Sequence, residues 1–348
     1  MSESGFINAR PLLKIDGEEN SELMQALSSM VINLPLSGMA HGELTFSNWI
    51  RSGDSADLGF GFQDLGFGKR MEIFMGENHD LPIFSGDITA LEERYGDSAP
   101  QLLLLVQDRM HILARQRLSR VFEDQSADDI CSSIASELGL SADVSISSAI
   151  ADYHQMNESN LAFLLRLASH YGIAPRIVDG TLRARPEEPD SEPLELNPRD
   201  NALKIRLLAD LNHQPAKISV QGFNSATSEV VLGESDRLEN AGDGITASQL
   251  ASDLGWPGDH YVPQPAPRNQ SEAEQFARAH FARQARNFIS GDIRCIGEPS
   301  LRSGREITLT EVSARLSGKY QVVHCSHCFD SNRGYETHLK VNRATGQN

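Results

Sequence analysis

The chain has 348 residues, which is more than one hydrophobic core usually serves, and its 39% of hydrophobic residues can fill two or three cores. Its 31 Lys and Arg stand against 48 Asp and Glu, giving a formal net charge of −17. This balance argues against a general binder of nucleic-acid backbones or of anionic membrane surfaces, because both kinds of binding need clustered cations.

Residues 1–112 have the pattern of an antiparallel β domain. Short apolar or alternating runs occupy 12–15, 29–34, 43–49, 71–75 and 102–107, and Gly, Asn, Asp and Ser separate them. No strong helical period lies between these runs. We therefore expect a first tube-like β-barrel over this region.

Residues 113–200 change character and predict a middle α/β domain that ends in an acidic linker. A helix is predicted over 126–138, with Ser126 as its cap and Gly139 after its end. A second helix is predicted over 159–171, with Asn157 as a possible cap. Asp179-Gly180 indicates a hairpin turn, and the Pro-rich, acidic run 185–201 marks a boundary.

Residues 201–235 and 271–345 return to strand-like runs and predict a second tube-like β-barrel. The polar, Pro-rich stretch 236–270 interrupts them, and we interpret it as an insertion. Ser271 and Glu274 have the spacing of a capping box, which predicts a leading helix over 272–287.

The chain carries no recognisable export or membrane signal. Residues 1–17 lack the basic and apolar regions of a signal peptide, and no stretch reaches the roughly 20 apolar residues of a membrane span. We therefore expect synthesis and retention in the cytoplasm. The four cysteines are then expected to be reduced thiols.

Three features of the first strand region recur in the same order near the end of the chain. The pairs are Gly68 with Gly304, each before an alternating strand; Ser85-Gly86 with Ser317-Gly318; and Leu103, Leu105 and Gln107 with Leu339, Val341 and Arg343. One such match would arise in any two Gly-rich meanders, but three in register favour a duplicated domain. Three chains with two barrels each would present six similar barrels around an axis.

The sequence also resembles the phage late control protein D family, which includes baseplate hubs of contractile tails and the N-terminal part of type VI secretion VgrG spikes. The resemblance spans nearly the whole chain. It is densest in FEDQSADDICSSIASELGL from Phe122, QMNESNLAFLLRLA from Gln155, GREITL from Gly304 and LSGKY from Leu316.

The resemblance implies a mainly β (α+β) fold class, with two similar antiparallel β-barrel tube domains, a middle α/β domain and a helical or loop insertion. It also implies a ring-shaped homotrimer that binds a central spike protein on one face and inner tube or tube-initiator proteins on the other. Baseplate wedge and tape-measure proteins are further expected partners, and specific nucleic-acid binding is not expected. VgrG proteins continue into a spike after this region, so we expect the spike here to be a separate protein.

One cluster has metal-ligand residue types, and its members are His324, Cys325, His327 and Cys328. Cys-x-x-Cys spacing holds zinc when a second ligand pair completes a tetrahedron, and the sequence offers no second pair. The preferred alternative is a strand whose alternate residues pack in a barrel wall. We predict neither a metal site nor a cofactor, and these four residues are the candidates if a metal binds.

Glu92, Glu93 and Asp97 form an acidic cluster that could act as paired carboxylates, although such runs are more often solvated loops. No Gly-rich phosphate loop, nucleophile elbow or His-Glu-x-x-His motif is present. We therefore predict no catalytic residues and a structural protein rather than an enzyme.

The alternative is a cell-wall protein. The strand, the capped helix from Ser126 and the Gly-Leu that follows have some similarity to a LysM peptidoglycan-binding module. Such a module would serve a muralytic tail protein. A monomer with glycan affinity is its expected behaviour.

Overall fold

The computed structural model describes residues 10–51, 58–76, 81–188, 192–256, 258–263 and 266–347. Strands hold 46% of the residues and helices 18%, so the fold is mainly β, as predicted. None of the helices in these ranges is long and apolar enough to cross a membrane. The prediction of no signal peptide concerns a segment that lies largely outside the described residues.

The N-terminal part of the chain forms strands that alternate buried and exposed residues, with two short helices. Leu44 and Phe46 are fully buried, whereas Glu43 is exposed and Thr45 is partly exposed, which is the two-residue period of a half-buried strand. The elements are β1 (Leu12–Ile15), β2 (Glu18–Glu19), α1 (Ser21–Ala26), β3 (Leu27–Pro35), β4 (His41–Ser47), β5 (Trp49–Arg51), β6 (Leu58–Phe60), β7 (Arg70–Phe74), β8 (Phe84–Arg94), β9 (Gln101–Gln107) and α2 (Met110–Ala114).

The middle part packs two helices against two small sheets. Phe122 stacks on Phe163 with ring centroids 5.4 Å apart, and both belong to a separate apolar core with Ile130 and Ile134. The elements are β10 (Arg117–Gln125), α3 (Ala127–Glu137), β11 (Ser141–Val144), β12 (Ala151–Ser159), α4 (Asn160–His170), β13 (Arg176–Val178), β14 (Thr181–Ala184) and β15 (Leu194–Leu196).

The C-terminal part returns to strands and contains the longest helix of the described residues. Its elements are β16 (Ala202–Ala209), β17 (Lys217–Asn224), β18 (Glu229–Ser235), β19 (Ile245–Thr246), α5 (Ala247–Asp253), β20 (Asp259–Val262), α6 (Gln270–Ala285), β21 (Ile289–Ile296), β22 (Glu306–Leu309), β23 (Gly318–Asp330), β24 (Gly334–Arg343) and β25 (Thr345–Gly346).

The local predictions in the middle part are largely confirmed. Ser126 caps α3 in a capping box with Asp129, and Asp179-Gly180 turns the β13–β14 hairpin with both residues at positive φ. The predicted cap of α4 was wrong, because Ser159 accepts the capping bond from Ala162 N and Asn157 lies in β12 at φ +50°.

The cap of α6 also differs from the sequence prediction. Asn269, and not Ser271, accepts a hydrogen bond from Glu272 N at 2.9 Å. The carboxylate of Glu272 turns back to Arg268, whose backbone N it binds at 2.9 Å. The helix therefore begins two residues earlier than predicted, because Asn269 and the partly exposed Arg268–Glu272 ion pair fix its first turn in place of the predicted box.

A single large sheet contains most strands of both predicted repeats. Its strand order is β16-β21-β24-β23-β3-β4-β9-β8-β7-β1-β2, with β22 bonded to β23 and β15 bonded to β22. The two halves therefore read β3-β4-β9-β8-β7-β1 and β16-β21-β24-β23-β22-β15, which is the same order. Neither half closes on itself through hydrogen-bonded strands in the described ranges, so the two barrels stay a prediction.

Backbone hydrogen bonds show that the repetition extends to single residues. Gly68 N donates to Ile88 O at 2.8 Å, and Gly304 N donates to Val322 O at 2.8 Å. Both glycines have positive φ, +80° and +88°, a conformation that glycine adopts without strain. Register shifts follow Ile88 in β8 and Val322 in β23, and others follow Leu27 in β3 and residue 202 in β16.

These bonds correct the residue pairing that the sequence suggested. Matching Ile88 to Val322 makes Ser85-Gly86 equivalent to Lys319-Tyr320, and not to Ser317-Gly318. In the next strand, Leu104 matches Leu339 and Val106 matches Val341, one residue away from the predicted pairs. The connections differ in length between the repeats, and a slip of one residue exchanges the faces of a strand.

Two other parts of the second repeat differ from the expectation. β17 and β18 leave the large sheet and form a separate sheet with β20, and α6 covers the buried face of that sheet with Phe276 and Phe281. The stretch 236–270 is also partly structured, because β19, α5 and β20 lie within it. The acidic linker likewise contributes β15, which pairs in parallel with β22.

Candidate functional site

The four candidate metal ligands lie on β23, where the pleat separates them. Cys325 and His327 are fully buried on the core face, whereas His324 and Cys328 lie on the opposite face and are partly exposed. Within the described part of the chain, no three His, Cys, Asp or Glu side chains form a group that could hold a metal ion. The strand that the sequence favoured over a chelating loop is present, and it does not bring the four residues together.

His327 is a structural group with a defined tautomer. Its Nε2 lies 3.0 Å from the carbonyl oxygen of Leu301, and its Nδ1 lies 2.7 Å from the hydroxyl of Tyr335. A carbonyl oxygen can only accept, so Nε2 carries the proton and Nδ1 accepts from Tyr335. Burial lowers the pKa of His327 to about 4, and the ring is therefore neutral at physiological pH.

Burial also makes the thiols near this strand unreactive. Burial raises the pKa of Cys328 to about 11 and that of Cys295 to about 12, and it also raises the pKa of Cys325 well above its usual value. In the middle part, burial raises the pKa of Cys131 to about 12. Because the thiolate is the reactive form, none of these thiols is suited to nucleophilic or redox chemistry.

We expect native protein at pH 8 to react with a thiol reagent such as dithionitrobenzoate far more slowly than free cysteine does. Only Cys328 has a partly exposed residue surface, so it should react first. All four thiols of the sequence should react at once in denaturant. Fast release of more than one equivalent from the native protein would contradict this assignment.

A cleft of about 570 Å³ lies where the two repeats meet the middle part. Its charged walls are neutralised by pairs: Arg176 binds Glu187 through two bonds of 2.6 and 2.8 Å, and Arg302 binds Asp179 at 2.6 Å. Arg176 also donates to the carbonyl of Leu36 in the first repeat at 3.3 Å. These contacts therefore connect the middle part of the chain to both repeats.

Asp108 sits in the same cleft and fixes the exit from β9. Its carboxylate accepts from Ala40 N at 2.7 Å and from Met110 N at 2.9 Å. Desolvation nevertheless raises the pKa of Asp108 to about 7. Both of its oxygens are used in backbone contacts, which is the arrangement of a structural carboxylate rather than of a general base aimed at a substrate.

The acidic cluster is not the solvated loop that the sequence favoured. Glu92 and Glu93 are exposed residues of β8, and only Asp97 lies in the following turn. Glu92 binds Arg94 at 2.8 Å, and Glu93 accepts from the hydroxyl of Tyr95. The Arg94 guanidinium lowers the pKa of Glu92. A carboxyl group that acts as a general acid needs a raised pKa, so Glu92 is not suited to that role.

Two open strand edges of the large sheet face solvent, and no pattern in the sequence predicted them. β16 bonds to β21 on one side, and the second half of β8, residues 90–94, bonds to β9 on one side; the described residues place no strand on the other side of either. Leu208 is 55% exposed and Tyr95 is 61% exposed. An edge with exposed apolar residues invites pairing with another chain.

The family model described as the Alg8 N-terminal domain matches residues 13–330. No curated protein matches the chain. The predicted membership of the late control protein D family stays a prediction, because the matching model carries another description.

Several solved structures share the fold. A 43 kDa tail protein of prophage MuSo2 from Shewanella oneidensis superposes with a TM-score of 0.75 at 12% identity, covering 97% of this chain and 98% of that one. A tail protein from Neisseria meningitidis MC58 gives a TM-score of 0.70 at 12% identity, covering 96% of each chain. An Escherichia coli component of the type VI secretion system gives 0.62 at 14% identity, covering 96% of this chain and 78% of that one.

The family match extends from β1 to the last residue of β23, and so includes the first repeat, the middle part and the second repeat up to β24. At 12–14% identity the solved structures show a shared fold, and they cover almost all of the same chain. The chain belongs to the family described as the Alg8 N-terminal domain.

Proposed function

We propose that this chain is the structural baseplate hub of a contractile phage tail or contractile injection system. In this proposal it forms a homotrimeric ring of pseudo-sixfold symmetry that joins a central spike to the inner tube. The observation that carries the proposal is the repeated strand order of the two halves, because three chains with two similar halves can match a threefold partner and a sixfold partner.

The relatives in fold support the same role. One of them is described as a prophage tail protein and another as a tail protein, and the Escherichia coli protein is described as a type VI secretion component with structural similarity to bacteriophage T4 tail proteins gp27 and gp5. These descriptions favour a tail or baseplate role over a peptidoglycan-binding module. The proposed partners are a spike protein, tube or tube-initiator proteins, and baseplate wedge and tape-measure proteins.

A non-enzymatic role fits the chemistry of the described residues. The buried thiols and His327 are held in their neutral forms, and the buried carboxylates and arginines bind one another or the backbone. We propose that the assembled location is the baseplate of a virion or injection particle.

The purified chain tests this proposal by light scattering and by averaged electron micrographs. The expected particle is a ring with a central channel and a mass of about 115 kDa, three times 38.2 kDa. It should bind tube and spike proteins encoded beside it and should not bind peptidoglycan. A compact monomer that is retained on peptidoglycan would overturn the proposal.

A further inference from the structure

One difference between the repeats bears on assembly, because a covering strand that the second repeat has is missing from the first in the described part of the chain. In the second repeat, the later half of β23 is covered by β3, with Cys325 opposite Leu34 and His327 opposite Ile32. The strand equivalent to β23 in the first repeat is β8, and its later half is open. The strand equivalent to β3 in the second repeat is β16, and its outer edge is also open in the described part of the chain.

Each chain thus has two open edges, the later half of β8 and the outer edge of β16. The pairing of β23 with β3 inside the chain shows how two such edges fit together. We propose that β16 of one copy of this chain pairs antiparallel with the later half of β8 of a second copy, in the register of β3 on β23. This rests on the proposed ring and gives it a specific contact. One β8 edge and one β16 edge per chain make the contact head-to-tail, which is the kind that closes into rings.

The register follows from the residue matches of the repeats. Residues 90–94 of β8 match 324–328 of β23, because Ile88 matches Val322 and both strands then shift register alike. Residues 29–34 of β3 match 204–209 of β16, because Gly42 and Gly291 hold the same place in the neighbouring strands. The proposal therefore sets Glu93 opposite Leu207, and Glu92 opposite Leu208, across the two copies.

Side chains of the paired strands β23 and β3 are more buried than their matches in β8 and β16, as expected if those two strands lack a neighbour. Phe329 of β23 is 5% exposed, whereas its match in β8, Tyr95, is 61% exposed. Ile32 of β3 is fully buried, whereas its match in β16, Leu207, is only half-buried. Pairing with a second copy would cover both side chains and bury apolar surface.

The hydrogen-bond phase of the covered edge identifies the atoms that face the open one. Leu36 N donates to Val323 O at 3.0 Å, and Ser331 N donates to Ser28 O at 3.0 Å, so both ends of this ladder are hydrogen-bonded pairs. Because such pairs alternate with non-bonded ones, His327 and Ile32 form a hydrogen-bonded pair. Their matches, Glu93 and Leu207, therefore point their backbone N–H and C=O groups out of the open edges.

Charge supports the same partner. Lys204 and Arg206 lie on the outer face of β16 and are exposed, whereas the exposed end of β8 carries Glu92 and Glu93. In the proposed register Glu92 lies diagonal to Arg206, within reach of a long side chain. Arg94 would face Arg206, but it is already bound to Glu92 at 2.8 Å.

A proline substitution tests the backbone pairing against a matched control. Glu93→Pro and Glu93→Ala both remove the exposed carboxylate, but only the proline variant removes the outward N–H and leaves the bonds to β9 intact. We expect Glu93→Ala to keep the wild-type mass in light scattering and Glu93→Pro to fall to the 38.2 kDa monomer. Circular dichroism and thermal melting of both variants check that each is folded.

A cysteine pair tests the register itself. Ser326 and Asn33 form a non-hydrogen-bonded pair with a 2.8 Å side-chain contact, so the matching pair Glu92 and Leu208 should be close enough for a disulfide. Oxidised E92C/L208C should run as covalently linked copies on a non-reducing gel. The control E92C/K204C should not, because it displaces one cysteine by four residues, about 13 Å along the strand.

The outcomes separate this inference from the proposed function. A wild-type ring in which Glu93→Pro still assembles, or in which E92C/L208C links no better than E92C/K204C, overturns the strand pairing and leaves the hub proposal standing. A wild-type chain that stays monomeric at tens of micromolar overturns both. Loss of assembly in the proline variant together with linkage of the first cysteine pair establishes the contact.

Discussion

Glu187→Ala should lower the free energy of unfolding by about 3 kcal/mol, because it leaves a buried arginine without its counter-ion. The side chains of Arg176 and Glu187 are 7% and 14% exposed and are joined by two hydrogen bonds. Arg183 lies 3.6 Å from the same carboxylate. Urea unfolding monitored by circular dichroism would measure the loss as a lower midpoint at an unchanged slope.

The neighbouring residue supplies the control. Glu188 has a side chain that is 72% exposed and pairs with Arg185, so Glu188→Ala should change stability by less than roughly 0.5 kcal/mol. The double variant Arg176→Met, Glu187→Ala should recover most of the loss, because it removes the stranded charge along with its partner. Equal stability of the Glu187→Ala and Glu188→Ala variants would contradict the stabilising role assigned to the Arg176–Glu187 pair.

The sequence predicted best those features that adjacent residues decide. Five strands of the first repeat, β1, β3, β4, β7 and β9, appear where the apolar or alternating runs indicated them, whereas β8 was not among those runs. The Ser126 cap and the Asp179-Gly180 turn hold because each depends on only a few consecutive residues. The cap of α4 was placed wrongly because several polar residues precede the helix. Pairing of β12 with β10 takes Asn157 into the strand, where its N–H binds the hydroxyl of Ser119.

The repeat shows where sequence comparison stops. Gly68 and Gly304 were matched correctly, because a positive φ before a strand demands glycine in both copies. The predicted match of Ser85-Gly86 was wrong by two residues, and that of Leu103 and Leu105 by one. The connecting turns differ in length, and the sequence alone does not reveal which strand residues face each other. Buried Leu104 and Leu339 would have given the right register, since both face the core.

The open edges could not be predicted from the sequence at all. Leu208 reads as one more apolar residue in a strand, and only the order of strands shows that β16 has a neighbour on one side. The candidate metal ligands had the opposite problem. Cys325 and Cys328 have a suggestive spacing, but a strand sends residues three apart to opposite faces.

His327 should make the protein lose stability as the pH falls below neutrality. Burial lowers the pKa of His327 in the folded chain to about 4 from its ordinary 6.5. A depressed pKa means that the stabilising contribution is complete above pH 6.5 and is lost as the pH falls towards 4. The full span corresponds to about 3 kcal/mol, because each unit is worth roughly 1.4 kcal/mol.

His327→Gln isolates this contribution, because glutamine does not titrate and its amide can still donate to Leu301. The difference in unfolding free energy between wild type and variant should shrink by about 3 kcal/mol from pH 7 to pH 4. Tyr335→Phe removes the hydroxyl that donates to Nδ1 of neutral His327 at 2.7 Å, so it should raise the pKa of the ring and weaken this pH dependence. A wild-type-to-Gln difference that is constant from pH 4 to pH 7 would mean that His327 titrates normally in the folded chain.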